Sequence, residues 1–90
     1  MSRAVPIASA ATDVQGVVGP CTLVGLAATG AAASVVRLRD GTTATDPVKA
    51  IIGVPANGTA SERLPAVEFS TGIFVDRDGT NAVELVLYIL

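Results

Sequence analysis

Polar and apolar positions alternate along much of the chain. Over residues 34–39, Val36 and Leu38 point one way and Arg37 and Arg39 the other, the period of two of a half-buried strand. Residues 48–54 repeat the pattern, with Val48, Ala50, Ile52 and Val54 on one face and Lys49 and Ile51 on the other. Residues 82–90 set Val83, Leu85, Leu87 and Ile89 against Glu84, Val86, Tyr88 and Leu90. In residues 21–29 neither face is polar: Cys21, Leu23, Gly25 and Ala27 oppose Thr22, Val24, Leu26 and Ala28. That composition predicts a central strand covered on both sides. Shorter strands are expected at 14–18, 59–64, 67–70 and 72–76.

Turn chemistry separates these runs. Gly19-Pro20, residues 30–33, Asp40-Gly41 and Pro65-Ala66 each interrupt the pattern. Asn57-Gly58 suits a two-residue hairpin joining 48–54 to 59–64. Asp78-Gly79 predicts the tip of a last hairpin, joining 72–76 to 82–90. Seven or eight short strands with no competing helical period make the chain all-β. The expected architecture is one small antiparallel β-sandwich, a jelly-roll or an Ig-like Greek key, over residues 13–90. Residues 1–12 are too weakly apolar to fold alone and are expected as an N-terminal arm.

Composition changes the picture in one respect. Charged residues are 16% of the 90, well below the roughly 25% of an average chain, and the mean hydropathy is +0.58. A small domain with so little charge, and one cysteine that leaves no disulfide within the chain, is expected to gain stability from partners. The six basic residues are scattered and the net charge is −2, so no nucleic-acid footprint forms. Residues 14–36 carry no charge and are long enough to cross a bilayer, the basis for a small pore-former reading. Gly16, Gly19, Pro20, Gly25 and Gly30 argue against that reading, and no membrane partner is expected.

Candidate chemistry is sparse. The chain has no histidine, the commonest general base and metal ligand. Cys21 lies in an apolar strand with no imidazole to activate it and reads as a small hydrophobe. Asp40 with Asp46, and Asp76 with Asp78, fall at turns, where aspartate favours the local geometry anyway. Asp76, Asp78 and Asn81 could offer oxygens to a calcium ion in a loop. An EF-hand is ruled out by Leu87 at its twelfth position and by the missing helices. No enzyme and no cofactor are expected.

A family resemblance rests on four stretches: Gly19-Pro20-Cys21-Thr22-Leu23-Val24-Gly25-Leu26, Val35-Val36-Arg37-Leu38-Arg39-Asp40-Gly41-Thr42, Val54-Pro55-Ala56-Asn57-Gly58-Thr59-Ala60-Ser61, and Phe69-Ser70-Thr71-Gly72-Ile73-Phe74-Val75. Together they resemble a pattern common in small virion proteins of tailed bacteriophages. The resemblance spans about residues 16–90. It implies a β-sandwich of the capsid decoration or cement type, located on the virion and assembled in the bacterial host cytoplasm. Its implied partners are the major capsid protein and further copies of itself, as a trimer or dimer. The alternative is a tail- or fibre-associated module that recognises a host-surface ligand. Two interface candidates follow from unpartnered apolar residues: Arg3, Val5 and Ile7 in the arm, and Val86, Tyr88 and Leu90 on the off-core side of the last strand. A central last strand, covered on both faces, is the competing reading of that second set.

Overall fold

A computed structural model describes residues 3–90. Eight strands form: β1 (Arg3–Ala10), β2 (Val14–Val18), β3 (Cys21–Gly30), β4 (Ser34–Asp40), β5 (Val48–Val54), β6 (Gly58–Phe69), β7 (Gly72–Asp76) and β8 (Val83–Ile89). They pair into two four-stranded antiparallel sheets, in the orders β1-β8-β3-β6 and β2-β7-β4-β5. We call these sheets I and II. Of the two topologies the turns allowed, this is the eight-stranded jelly roll. Every connection except β4–β5 crosses from one sheet to the other.

The alternation sets the core. Leu23, Leu26, Ala28, Leu85, Leu87 and Ile89 of sheet I meet Val36, Leu38, Ile52, Val54, Ile73 and Val75 of sheet II in one buried cluster. β-branched and leucine side chains at every second position fill the gap that separates stacked sheets, about 10 Å.

Four expectations change. Residues 3–10 of the expected arm are strand β1, which pairs with β8 from Arg3↔Ile89 to Ile7↔Leu85. Met1 and Ser2 lie outside the described residues. The segment is weakly apolar because an edge strand needs inward side chains only at alternate positions.

The Asn57-Gly58 and Asp78-Gly79 turns are not hairpins. β5 and β7 lie in sheet II, while β6 and β8 lie in sheet I. Asn57 does take the positive φ of a tight turn, at 51°. The same turn chemistry redirects the chain whether the next strand joins the same sheet or the facing one.

The 59–64 and 67–70 runs are one strand, β6. It continues through a bulge at Leu64–Ala66, where Ala66 has φ 60°. Pro65 fits there because β6 is an edge strand, with no ladder bond to lose on its free side.

β3 is central, but it is covered by the facing sheet on one side only. A register shift at Val24 moves Leu26 and Ala28 to the inside, and Gly25 and Ala27 to the outside. One irregular residue therefore exchanged the faces assigned to the second half of this strand.

Candidate functional site

The outer face of sheet I is built from these registers. One cross-strand row runs Ala4, Tyr88, Gly25, Arg63, and the next runs Pro6, Val86, Ala27, Ser61. Small residues on three adjacent strands leave a flat apolar strip. Tyr88 is its one large side chain, 39% exposed. The strip is shallow because Gly25 has no side chain. A Cβ there would sit 3.1 Å from the Glu62 carbonyl oxygen and 3.7 Å from Cδ2 of Tyr88. Arg63 and Ser61 of β6 give one edge a polar rim. Leu90 extends past β8, 62% exposed, and its N–H donates to the Thr22 carbonyl at 3.0 Å.

The interface candidates thus divide. β8 is central, between β1 and β3, as the competing reading has it, but its outer face is open: Val86 and Tyr88 lie on the outer strip with Leu90 close by. Ile7 is buried in the core and Val5 packs against it. An arm leaves these two without a local partner; β8 and the facing sheet supply one. Arg3 is exposed on the edge strand.

The loop acids have local work. Asp76 pairs with Arg39, Oδ2 to Nε at 2.8 Å. Asp78 Oδ1 accepts the backbone N–H groups of Thr80 and Asn81, both at 2.8 Å, and its Oδ2 accepts from Ser34 Oγ at 3.2 Å. Asn81 donates its side-chain amide to the same carboxylate at 3.3 Å. The three candidate calcium ligands therefore serve an ion pair and a self-capped turn. No group of three or more His, Cys, Asp or Glu side chains is gathered for a metal ion among the described residues. Burial and then the charge of Asp40 push the Cys21 thiol up from its ordinary value. No helix of the described residues is long and apolar enough to cross a membrane.

Asp40 and Asp46 organise one end of the sandwich. Asp40 takes the N–H groups of Ser70 and Thr71, at 3.0 and 2.8 Å, and the Ser70 hydroxyl at 2.9 Å. These bonds, the Ser70 backbone N–H foremost, hold its carboxyl down at about 2. Asp46 binds the N–H groups of Thr42 and Thr43, and its carboxyl is lowered for the same reason. Asp78 is lowered chiefly by the Asn81 N–H. Gly41 is required beside this loop, since a Cβ there would collide with the Asp46 carboxylate.

All three shifts have one sign. The folded carboxylates bind protons less readily than the unfolded chain, whose aspartates ionise near 3.8. Their contribution to stability is complete above that value and is lost as the pH falls toward 2. The melting temperature is expected to drop through this window, and Asp40→Asn to lower it at neutral pH and flatten the acid drop. Thermal melts of both proteins across the window check this, and an acid drop equally steep in the variant would refute it.

Sequence reading did not single out Arg77. Its side chain is 5% exposed. Nε donates to the Thr12 carbonyl at 2.6 Å, and Nη1 donates to the carbonyls of Ala8 and Val83, each at 2.8 Å. Its backbone N–H donates to Asp13 Oδ1 at 2.9 Å. Burial lowers the guanidinium from its ordinary value, and the charge of Asp13 opposes that shift. Arg77 ties the β1–β2 corner to the β7–β8 crossover. Its position at a turn, among acids, gave only the signal of a solvated tip.

No family model matches the chain, and no curated protein matches it. Among solved structures it is similar to one described as the crystal structure of PirA, at 17% identity and a TM-score of 0.42, over 99% of this chain and 84% of that one. Likeness at that level does not establish a common fold.

Proposed function

We propose that this protein is a structural subunit of a phage particle, seated on the capsid surface as a decoration or cement protein. The observation that carries the reading is the outer strip of sheet I. Pro6, Val86, Tyr88 and Ala27 expose apolar surface that this fold leaves uncovered. A flat apolar centre beside a polar rim suits burial against a large, pre-formed surface. The four sequence stretches support the same reading. Jelly rolls recur in capsid proteins, although they also serve lectins and cupins, so the fold alone decides nothing. The partner is the major capsid protein, and Val86, Tyr88 and Leu90 form the contact.

Particles stripped of this protein are expected to lose resistance to heat or low salt, and to regain it when the protein is added back. Tyr88→Asp tests the face directly. Tyr88 is half-exposed, so the isolated variant should keep its fold with a loss of about 1 kcal/mol at most. Its rebinding to stripped particles should weaken at least tenfold, the cost of a buried unpaired charge. Equal rebinding by variant and wild type would remove this face from the assembly, and stripped particles of unchanged resistance would remove the cement role.

A further inference from the structure

The two sheets have four edge strands, and three of them are blunted. β1 carries Pro6, β6 carries Pro65, its bulge and the charged Glu62, Arg63 and Glu68, and β2 has only five residues with a register shift at Gly16. These are the usual protections of an exposed sheet edge. β5 differs. Its only irregularity is at Lys49, and Ala50–Val54 pairs regularly with β4. Among the described residues no backbone group of 50–54 makes a hydrogen bond outside that ladder. Its far side is an open row of donors and acceptors.

Two side-chain features of this strand lack an explanation within one copy. Ile51 is 55% exposed in mid-strand. Gly53, next on the same face, has nothing within 4 Å of where its Cβ would stand. Glycine weakens a strand and commonly marks the close approach of another chain.

We propose that β5 pairs antiparallel with β5 of a second copy across a two-fold axis at Ile52, joining the two sheets II into one continuous eight-stranded sheet. This register uses the five regular residues and no others. It sets Ala50 opposite Val54 of the partner and Ile51 over Gly53 of the partner, twice by symmetry. The exposed isoleucine then occupies the open space above the glycine. Lys49 falls opposite Pro55 of the partner, so no like charges meet at the seam. Arg37, one strand further in, stands about three strand spacings from its symmetry mate, roughly 14 Å, beyond a Debye length of about 8 Å at physiological salt. The interface is isologous, as a two-fold requires. It lies on sheet II and does not rest on the virion reading, which uses sheet I.

Sedimentation over a concentration series tests this. The wild-type chain should pass from monomer to dimer over a micromolar range. Gly53→Lys should leave the monomer folded, because the space at that position is open, and should raise the dimer dissociation constant at least tenfold. Val18→Lys, a charge placed at an 88%-exposed position on the opposite edge, should leave the dimer unchanged. A wild-type chain that stays monomeric throughout would overturn the proposal. So would a Gly53→Lys variant that dimerises like wild type, or a Val18→Lys variant that loses the dimer as well.

Discussion

Arg77→Met is expected to destabilise the protein by about 3 kcal/mol or more, a fall in melting temperature of roughly 12 °C or more for a domain of this size. Methionine keeps the length and apolar stem of the side chain and removes every donor. The carbonyls of Ala8, Thr12 and Val83 then lose their partner in a place water barely reaches. A buried acceptor stripped of its bond costs about 1–3 kcal/mol, more than the bond itself contributed. Arg77→Lys keeps the charge, but one ammonium cannot span three carbonyls on two separate chain segments, so an intermediate loss is expected. Urea and thermal melts of the three proteins check the order. A methionine variant that melts with wild type would show that the guanidinium does not hold the crossover.

Phe69→Ala is the second large effect, about 3–5 kcal/mol. The chain has two phenylalanines and no tryptophan. Phe74 is half-buried, whereas Phe69 is the largest side chain fully enclosed by the core, 1% exposed at the end of β6. The other buried core side chains are all aliphatic and held in strands, so they are poorly placed to refill the space it leaves. Domains of this length are stable by roughly 5–13 kcal/mol in all. The alanine variant should thus unfold at far lower denaturant, and Phe69→Leu should recover most of the loss. An alanine variant within 1 kcal/mol of wild type would mean that the core collapses around the gap.

Most strands of this fold are legible because alternation is local. Val36 with Leu38, and Val83 through Ile89, read directly as inward positions. Alternation fails where one residue breaks the count. The shift at Val24 and the bulge at Leu64–Ala66 reverse faces or split a strand, and neither leaves more than a glycine or proline as a trace. Pairing is less legible still. Asn57-Gly58 and Asp78-Gly79 turn the chain as expected, but which sheet receives the next strand depends on contacts far away in sequence. The candidate surface was half-legible for the same reason. Val86 and Tyr88 stood out as apolar residues opposite a core face, whereas Val5 and Ile7 seemed unpartnered because their partner strand lies at the other end of the chain. Arg77 was invisible, since no spacing rule distinguishes an arginine that folds back on carbonyls from one that faces water.

The crossing connections also set the order in which the molecule can be made. Only β4 and β5 are neighbours both in sequence and in a sheet, so they are the one hairpin available to nucleate early. Every other ladder must close a long loop before it gains a contact, which predicts slow folding, on a scale of milliseconds to seconds. β1 is the first of the eight strands to be synthesised and has a single ladder partner, β8, the last of the eight. Its backbone therefore stays unpaired until β8 is available. Pro6 then does its work before the fold exists, by discouraging this waiting strand from pairing with another nascent chain.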